Sequence, residues 1–373
     1  MRLTMRRLNR ATLARQLLLR RERLPVAEGV RRIAALQAQE AASPYLALWN
    51  RLDGFDPADL DAAFAAHEVV KSTLMRITLH AVHAGDYPAF HNAMVPSLRG
   101  ARLGDRRFTG AGLSVADADA LLPHLLEFAA GPRTKAEIEE LIRERLGAHQ
   151  PRMWWALRTF APLHHVPTGG PWSFGARGAF TVTRLPRMGP DERQESVHHL
   201  VHRYLEAFGP ASVADIAQFS LLTRPVLRQA VTGFDQLEGP DGTVLYDVPG
   251  GQIPEEDTPA PPRLLPMWDS VLLAYSDRSR VIPPDFRRLV TRQNGDVLPS
   301  LLVDGQVAGV WRPADGGIEA SAFRPLSDRD WAGLAAEARA LVKFLAARDP
   351  AVYRRYTHWW AKLPQAEVRL LPA

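Results

Sequence analysis

The octapeptide Gly131-Pro-Arg-Thr-Lys-Ala-Glu-Ile138 recurs as Gly209-Pro-Ala-Ser-Val-Ala-Asp-Ile216, and both copies follow the pattern G-P-x-[TS]-x-A-[ED]-I. In each copy a hydroxyl residue precedes an acidic residue by three positions. This spacing is the sequence signature of a helix capping box, in which the hydroxyl and the carboxylate satisfy each other's backbone amides. The repeat therefore predicts that a helix begins just after each hydroxyl residue.

The two copies also share their flanking patterns. A helical run precedes each copy, a second helical run follows it, and a β-type segment comes next. These segments are residues 121–129, 153–163 and 180–183 around the first copy, and residues 197–208, 224–234 and 243–246 around the second. The last segment follows Asp241-Gly242, which is a hairpin signal. The order of helix, capped helix, helix and β-wing is typical of a winged helix-turn-helix.

A looser third copy, without the capping signature, fits the N-terminal part of the chain. Its helices are predicted at residues 11–23, 26–36 and 44–52, and its strand at residues 78–82. In this alignment Gln37 and Gln39 lie in the turn before the third helix. Residues two apart on an α-helix project about 200° from each other. A turn at this point is therefore what would let both carboxamides serve one site.

The C-terminal part of the chain has a different pattern. A Pro- and Gly-rich linker, residues 250–262, separates it from the repeats. Strands are predicted at residues 271–275, 300–303, 307–312 and 318–323, followed by a long helix at residues 328–347. Asp304-Gly305 suits a type I′ turn between two of these strands. Trp268-Asp269 and Asp277-Arg278 lie around an apolar run, and we interpret these charges as a buried Asp–Arg pair that holds the fold.

These patterns predict an α+β protein with three tandem winged helix-turn-helix units and a C-terminal α+β unit. The length of 373 residues agrees, because single domains usually have roughly 100 to 200 residues. The predicted boundaries are residues 1–95, 115–185, 191–249 and 263–373. Three tandem units in one chain supply what many winged-helix proteins gain by dimerising, so we expect a monomer.

The charge of the chain favours a polyanionic partner. The formal net charge is +5 and the isoelectric point is about 9.7. Only four of the 46 basic residues are lysines, an arginine bias that is also typical of GC-rich coding sequences. The position of the arginines is therefore more informative than their number. The candidate phosphate contacts are the clusters Arg6, Arg7 and Arg10; Arg31 and Arg32; and Arg99, Arg102, Arg106 and Arg107.

Several classes of chemistry are excluded or disfavoured. The chain contains no cysteine, which excludes disulfides, thiolate nucleophiles and cysteine-ligated metals. No phosphate-binding P-loop, G-x-S-x-G elbow or dinucleotide fingerprint is present, so no cofactor is expected. His198 and His202 have a spacing that can hold a metal, but no further ligand follows at motif spacing.

The sequence also disfavours membrane insertion. No run of about 18 uncharged apolar residues occurs, so we expect no transmembrane span. The basic N-terminal segment is interpreted as an amphipathic helix, because Arg15 interrupts its apolar run. A cytoplasmic location fits these features and the lack of cysteine.

Several long segments resemble one protein family in the same order along the chain. They are Leu74-Met-Arg-Ile-Thr-Leu-His80, Phe208-Gly-Pro-Ala-Ser-Val-Ala-Asp215, Leu265-Pro-Met-Trp-Asp-Ser-Val-Leu-Leu-Ala-Tyr-Ser-Asp-Arg-Ser-Arg-Val-Ile-Pro-Pro284 and Leu301-Leu-Val-Asp-Gly-Gln-Val-Ala-Gly-Val-Trp311. With Gln37-Ala38-Gln39, they resemble the bacterial winged-helix DNA glycosylases of the AlkZ/YcaQ type. Within this family the resemblance is closest to the branch that confers azinomycin resistance on streptomycetes.

The resemblance implies a monofunctional glycosylase that excises N7-alkylated purines from double-stranded DNA, unhooks interstrand crosslinks and leaves an abasic site. It places the Gln-x-Gln motif in a C-shaped cleft formed by the tandem units and assigns catalysis to Gln37 and Gln39. It also implies that the hairpin around Asp304 probes DNA. Together with the arginine clusters, these matches give the candidate DNA-binding residues Arg31, Arg32, Arg76, His80, Asp304, Gly305 and Gln306.

The chemistry of such a substrate permits neutral catalytic side chains. A carboxamide is too weakly basic to act as a general base near neutral pH. A purine alkylated at N7 already carries a positive charge, however, and therefore leaves readily as a neutral base. The enzyme needs only to place a water molecule and to stabilise a developing oxocarbenium ion, which carboxamide oxygens can do. This mechanism needs no lysine Schiff base, so strand cleavage by β-elimination is not expected.

A second class of function shares most of these features. A non-enzymatic DNA binder, such as a drug-sensing regulator or a damage-protection protein, would have the same winged helices, basic clefts and hairpin. Glu40, beside the two glutamines, also has a purely structural interpretation, since acidic residues near a helix N-terminus often only complement the helix dipole. Release of a free base from alkylated DNA is the property that separates an enzyme from a binder.

Overall fold

In the computed structural model, which describes residues 2–184, 188–364 and 367–372, both copies of the octapeptide begin a helix. Thr134 Oγ1 accepts the backbone amide of Glu137 at 3.3 Å, and the Glu137 carboxylate accepts the amide of Thr134 at 2.7 Å. Ser212 and Asp215 make the same pair of contacts, at 3.2 and 2.9 Å. Both predicted capping boxes are confirmed. The outermost predicted boundaries, residues 1, 185 and 373, lie outside the described residues.

The described chain is a mixture of helices and antiparallel strands. The first part contains α1 (Met5–Arg15), α2 (Val26–Arg32), β1 (Leu36–Gln37), α3 (Ser43–Trp49), α4 (Pro57–Ala65), β2 (Val69–Thr73), β3 (Leu79–His83), α5 (Tyr87–Leu103) and α6 (Arg106–Thr109). The middle contains α7 (Val115–Phe128), β4 (Arg133–Thr134), α8 (Lys135–Leu146), α9 (Pro151–Phe160), β5 (Leu163–Val166), β6 (Ala179–Val182), α10 (Arg193–Phe208), α11 (Val213–Ser220), α12 (Arg224–Ala230), β7 (Asp235–Glu238) and β8 (Val244–Asp247). The last part contains β9 (Arg263–Leu265), α13 (Arg287–Val290), β10 (Ser300–Val303), β11 (Gln306–Ala314), β12 (Gly317–Ala322), α14 (Asp328–Ala346) and β13 (Glu367–Pro372), with a 3₁₀ helix at Arg354–Lys362.

Two segments share one topology. In residues 26–83, termed unit 1, the order is α2, β1, α3, α4, β2 and β3, and the sheet order is β1-β3-β2. In residues 115–182, termed unit 2, the order is α7, β4, α8, α9, β5 and β6, and the sheet order is β4-β6-β5. Residues 193–247, termed unit 3, end in the two-stranded sheet β7-β8. The C-terminal unit contains the five-stranded sheet β13-β12-β11-β10-β9.

The predicted alignment of the first unit was displaced by one helix. It took the segment at residues 11–23, which overlaps α1, as the first helix of the unit, whereas the topology shared with unit 2 begins at α2. The element that corresponds to the predicted third helix, α3, is followed by a further helix, α4, which the sequence interpretation missed. The sequence does contain a start signal for α4, because Asp56 caps the helix and Pro57 occupies its first turn. Helix α2 ends at Arg32 instead of continuing to residue 36, and Ala34 has a left-handed φ of 64°. The apolar pattern predicted too long a helix because residues 33–36 are also apolar. They are buried, but in a turn and a short strand.

The C-terminal strands were partly predicted. The turn at Asp304-Gly305 has φ values of 48° and 80°, which agree with the type I′ turn, and it joins β10 to β11. The predicted strand at residues 271–275 is wrong. Asp269 accepts the backbone amide of Val271 at 3.1 Å and begins a 3₁₀ turn at Ser270–Leu272 instead. Strand β9, at Arg263–Leu265, takes the edge of the sheet beside β10.

The hydrophobic core does not follow the linear order of the chain. One cluster of buried side chains joins unit 1 to the C-terminal unit, with Tyr45, Leu48, Leu272 and Trp311 among its members. A second cluster joins units 2 and 3 to helix α5. The linker at residues 250–262 therefore separates segments in sequence, but it does not separate the first unit from the last in space.

Two buried ion pairs fasten the N-terminal segment to the rest of the molecule. Arg51, just after α3, donates to both carboxylate oxygens of Asp269, at 2.8 and 2.7 Å, and the two side chains are 1% and 0% exposed. Arg15 likewise donates to both carboxylate oxygens of Asp247, at 2.6 and 2.7 Å. The buried Asp–Arg pair predicted around the apolar run thus forms through Asp269, but with Arg51. Arg278 instead donates to Thr291.

Removal of one partner of the Arg51–Asp269 pair should destabilise the protein strongly. Asp269→Ala leaves a buried guanidinium without its counter-ion, and we expect a loss of about 3–5 kcal/mol in the free energy of unfolding. Chemical denaturation measures this loss. The control is Arg23→Ala, since Arg23 and Asp53 form an exposed pair at 3.4 Å, with an expected change below about 0.5 kcal/mol. Equal changes in the two variants would show that the buried pair does not hold unit 1 to the C-terminal unit.

Candidate functional site

The Gln-x-Gln motif lies at the end of strand β1 and in the loop that follows it. Gln37 pairs with His80 of β3, and the amide of Ala38 donates to the carbonyl of Leu79 at 2.8 Å. In unit 2 the equivalent strand β4 runs directly into helix α8, whereas residues 38–42 separate β1 from α3. The chain therefore leaves helical geometry at the two glutamines, and the loop there is longer than its counterpart in unit 2.

Gln37 is buried and acts on the backbone of its own loop. Its side chain is 5% exposed, and its Oε1 accepts the backbone amide of Gln39 at 2.8 Å. It faces a closed space, shared with Ser43, Arg51 and Asp269, that has no room for a water molecule. Gln37 therefore fixes the path of the loop, and through it the place of Gln39.

Gln39 is exposed and lies in the wall of an open cavity of about 440 Å³. Loop residues 39–41, strands β2 and β5, helices α8 and α9 and the 3₁₀ helix near the C-terminus all contribute to this cavity. Among the described residues, no side chain forms a hydrogen bond with the Gln39 carboxamide. The two glutamines thus do not converge: one carboxamide faces the interior, and the other faces the cavity.

The charged lining of this cavity is mostly positive. Lys71, Lys135, Arg158 and Arg355 contribute cations, and Glu40 contributes a carboxylate. Glu40 forms an ion pair with Arg355 and accepts the hydroxyl of Tyr356 at 2.8 Å. Glu40 therefore holds the C-terminal 3₁₀ helix against the loop of residues 38–42.

Two titratable groups of the cavity have pKa values far from their usual ones. Burial lowers the pKa of the Lys71 ammonium to about 8, and Glu40 opposes this shift. Burial also lowers the pKa of His165 to about 3, and the positive charges of Lys71 and Arg158 lower it further. His165 is therefore a neutral imidazole near pH 7, while a fraction of Lys71 is a free amine.

Three aromatic rings complete the cavity wall. Trp154 and Phe180 pack edge to face, with ring centroids 4.9 Å apart. Phe174 lies under the Lys71 ammonium, which is 4.1 Å from the ring centroid. The cavity therefore combines flat apolar surfaces with cations, a combination that suits the sugars and phosphates of a nucleic acid.

His80 and Arg76 form a buried pair behind the Gln37 strand. Arg76 can only donate, and its Nη2 lies 3.1 Å from His80 Nε2, so Nε2 accepts and Nδ1 carries the proton. That proton is donated to the carbonyl of Thr78 at 3.0 Å. Burial first, and Arg76 second, lower the pKa of His80 to about 3. The guanidinium of Arg76 also lies 5.1 Å from the ring centroid of Phe219, so this pair links unit 1 to unit 3.

The turn at Asp304 to Gln306 is fastened to helix α1. Asp304 pairs with Arg6 at 2.8 Å and with Arg10 at 2.5 Å. The carbonyl of Gly305 accepts the side-chain amide of Asn9 at 2.7 Å, and a Cβ atom on Gly305 would approach that side chain within 2.4 Å. In this turn, Gln306 is exposed and Gly305 is buried.

The arginines of the predicted clusters differ in their exposure and in their hydrogen-bond partners. Arg10 is 1% exposed, which is incompatible with its predicted contact to phosphate. Arg99 and Arg107 are paired with carboxylates, and Arg102 donates to Thr159. Arg31 and Arg32 are exposed at the end of α2, where Arg32 lines a separate groove beside Arg203. The structure does not bring Arg31 and Arg32 to the Gln39 cavity.

Sequence reasoning missed the cavity residues outside the motif. Lys71, Lys135, Arg158, His165 and Arg355 come from distant segments, and none belongs to a recognised motif. The rarity of lysine was a usable signal, since two of the four lysines in the chain line this cavity. The remaining residues are brought together only by the packing of unit 1 against unit 2 and the C-terminal unit.

The described residues contain neither a metal site nor a membrane helix. No three histidine or acidic side chains among them lie close enough together to hold a metal ion. His198 and His202 instead pack against Phe234, with ring centroids 5.2 and 5.9 Å away. Within the part of the chain that the structure describes, no helix combines the length and the apolar character needed to cross a membrane.

Comparisons with known proteins agree with the earlier resemblance. The family model for AlkZ-like DNA glycosylases matches residues 30–344. The structure is similar to that of the Streptomyces sahachiroi DNA glycosylase AlkZ, with a TM-score of 0.78 and 21% sequence identity over 92% of this chain and 96% of that chain. No curated protein matches the chain significantly.

His80 should remain neutral throughout the physiological pH range. Because its folded pKa is about 3 and its unfolded pKa is about 6.5, its burial costs stability as the pH falls from about 6.5 towards 3. Nitrogen-15 NMR of the histidine ring should show a protonated Nδ1, a bare Nε2 and no titration above about pH 4. Arg76→Met, which removes the neighbouring charge, should raise the pKa. Titration of wild-type His80 near pH 6.5 would contradict the buried neutral imidazole.

Proposed function

Because the chain belongs to the AlkZ-like DNA glycosylase family, we propose that it is a monofunctional glycosylase that hydrolyses the N-glycosidic bond of N7-alkylated purines in double-stranded DNA. The product is the free base and an abasic site. The observation that carries the proposal is the exposed Gln39 carboxamide in the wall of an open, cation-lined cavity. The family match includes this loop.

The geometry gives the two glutamines of the motif different roles in this proposal. Gln39 faces the reacting sugar, where its carboxamide oxygen accepts a hydrogen bond from the attacking water and stabilises the developing oxocarbenium ion. Gln37, which is buried and bonded to the Gln39 amide, is a positioning residue. It holds the loop so that the Gln39 carboxamide is already in place when the bond breaks. A model with one water between both carboxamides does not fit, because they face different spaces.

The electrostatics of the cavity support a particular placement of the DNA. Four cations and one carboxylate attract a phosphate and repel a positively charged base. We therefore place the sugar and its phosphate inside the cavity and the alkylated purine at its mouth. In this arrangement the base need not enter an enclosed pocket, so a purine tied to the opposite strand can still react.

The same placement makes interstrand crosslinks suitable substrates. Since the lesion stays outside the cavity, bulky N7 adducts of the azinomycin type are accommodated, and unhooking them would give resistance to the antibiotic. We propose that units 1 to 3 act as tandem winged helices along the duplex and form a C-shaped cleft around it. The enzyme would act as a monomer on DNA in the cytoplasm.

The other candidate DNA contacts differ in how available they are. Arg31, Arg32 and Gln306 are exposed and remain proposed contacts to the duplex. Arg76 and His80 are hydrogen-bonded to each other, so we propose that they support the strand of Gln37 and the turn beside it. Asp304 and Gly305 hold helix α1, so we propose that this hairpin touches DNA through Gln306.

Gln39→Ala should lower the rate of 7-methylguanine release from methylated DNA by about 10²–10³-fold, the cost of losing one preorganised transition-state contact. Gln39→Asp should retain activity, because a carboxylate also accepts the water and faces the cation. Duplex affinity should change little in either variant, since arginine contacts to phosphate dominate binding. The control is Gln194→Ala, at an exposed glutamine of α10. Tight DNA binding with no base release by wild type would instead indicate a regulator or protection protein.

Gln37→Ala should reduce base release through the position of the loop. The variant loses the hydrogen bond to the Gln39 amide, so we expect a lower kcat with little change in KM. A crosslink-unhooking assay on a duplex with an N7–N7 crosslink, run beside a matching monoadduct, tests the substrate range. Comparable single-turnover rates on both would agree with a lesion held outside the cavity. Activity on the monoadduct alone would show that the base must enter an enclosed pocket.

A further inference from the structure

A basic surface on unit 2 lies beside the Gln39 cavity. The guanidinium groups of Arg102, Arg107 and Arg152 lie 4.4, 4.8 and 5.9 Å from the ring centroid of Trp155. Helices α5, α6 and α9 supply these residues. The half-buried Trp155 thus gathers arginines from three helices, and we term these four residues the Trp155 surface.

Arg158 connects the Trp155 surface to the cavity. Successive residues of an α-helix are about 100° apart, so Arg158 projects between Trp154, about 40° away, and Trp155, about 60° away. Trp154 lies in the cavity wall, and Arg158 also lines the cavity. The basic surface is therefore continuous with the cavity along α9.

The arginines of this region are only partly neutralised by carboxylates. Arg107 pairs with Asp105 at 2.7 Å. Arg152 and Arg158 are exposed, and no carboxylate of the described chain forms an ion pair with them. Burial lowers the pKa of the Arg102 guanidinium, and the positive charges of Arg107 and Arg158 lower it further. These cations therefore repel one another, and a bound anion would relieve the repulsion.

The corresponding helix of unit 1 has the opposite charge. By the shared topology, α4 of unit 1 corresponds to α9 of unit 2. Helix α4 contains Asp59 and Asp61 and no basic residue, so it repels a phosphate backbone. Helix α12 of unit 3 contains Arg224 and Arg228, but neither is among the described residues that line the Gln39 cavity. Helix α9 therefore combines a basic surface with contact to the cavity.

The chemistry of the Trp155 surface fits the phosphate backbone of a duplex. An arginine stacked on an aromatic ring keeps its N–H donors in the plane of the guanidinium, where they can meet two oxygens of one phosphate. Stacking orients the side chain before DNA binds and so reduces the entropy lost on binding. Guanidinium groups already stack on the Trp155 ring, so it is not an open platform for an unpaired base. The partner indicated is therefore duplex DNA.

We propose that the Trp155 surface, together with Arg158, binds the phosphate backbone of the duplex arm that flanks the lesion. This inference rests on the proposed function and deepens it, because it assigns the main duplex contact to unit 2. Arg158 binds the phosphate nearest the cavity, and Arg102, Arg107 and Arg152 bind the phosphates beyond it. The duplex then leaves the cavity along α9 and not along the acidic α4.

The salt dependence of duplex binding tests this inference without any lesion. Fluorescence anisotropy of a labelled, undamaged duplex gives the affinity of the full-length protein from about 0.05 to about 0.3 M salt, and each phosphate contact contributes about 0.9 to the slope of log affinity against log salt concentration. Arg107→Gln with Arg152→Gln should reduce this slope by about 1.8 and weaken binding about 30-fold at about 0.15 M salt. Both side chains are exposed, so circular dichroism should show an unchanged fold.

The matched control removes the same charge elsewhere. Arg329 and Arg339 are exposed on α14. Arg329→Gln with Arg339→Gln should leave the slope unchanged and the affinity within about 2-fold of wild type, because salt screens charges that do not touch the DNA. Replacement of both arginines of α12 by glutamine should reduce the slope less than the pair on α6 and α9.

Substitution of Trp155 provides a readout that net charge alone does not change. Trp155→Leu keeps every arginine but removes the ring on which three of them stack. We expect duplex binding about 3-fold weaker, since each lost cation–π contact no longer orients its guanidinium. Trp155→Phe keeps an aromatic ring and should bind the duplex almost as tightly as wild type.

Each outcome decides the inference. An unchanged slope in the Arg107 and Arg152 double variant, or an equal loss in the α14 control, would overturn it. A larger loss from the α12 variant would overturn the assignment to unit 2, and tighter binding of a single strand than of the duplex would point to unpaired bases instead. Base release by a protein whose DNA binding ignores these substitutions overturns this inference alone. Duplex binding through this surface without base release overturns the proposed glycosylase function alone.

Discussion

The buried ion pair between Arg51 and Asp269 is the contact on which the architecture of the site depends. Two charges removed from water are tolerated only because each oxygen of the carboxylate receives a guanidinium donor. The pair joins the end of α3 to the 3₁₀ turn at Ser270–Leu272, and Ser270 in turn donates to the carbonyl of Ala35. The loop with the two glutamines is thus held between the first and last units of the chain, which share one hydrophobic core.

That arrangement explains why the motif functions as a loop and not as a helix face. The left-handed Ala34 ends α2, β1 pairs with β3, and residues 38–42 turn towards the cavity before α3 begins. Within this loop the buried Gln37 replaces a backbone partner for the amide of Gln39. The two carboxamides can lie two residues apart because Gln37 binds the backbone of the loop and Gln39 faces the cavity.

The composition of the cavity is compatible with the charged lesion that we propose as the substrate. An N7-alkylated purine carries its own activation, so the protein need not supply a strong acid or base. In the proposed reaction, the cavity would supply a neutral acceptor at Gln39, cations for a phosphate and aromatic rings for a sugar.

 

Lys71, in the wall of the same cavity, is buried by side chains that come from distant segments of the chain. The neighbours of Lys71 are Arg158, His165 and Phe174, from unit 2 and the hairpin that closes it, and Arg355 from the C-terminal unit. Their packing around β2 removes water from the amine, and this desolvation is the main cause of its lowered pKa.

The sequence by itself determined the local features. The two capping boxes, the Asp304-Gly305 turn and the Gln-x-Gln motif each depend on residues a few positions apart, so their chemistry is readable from the chain. The tertiary structure alone decided that Asp269 pairs with Arg51, that the two carboxamides face different spaces, and that Lys71 is buried beside Gln39. These features depend on contacts between segments far apart in the chain, and no local pattern specifies which distant side chain supplies a charge or excludes water.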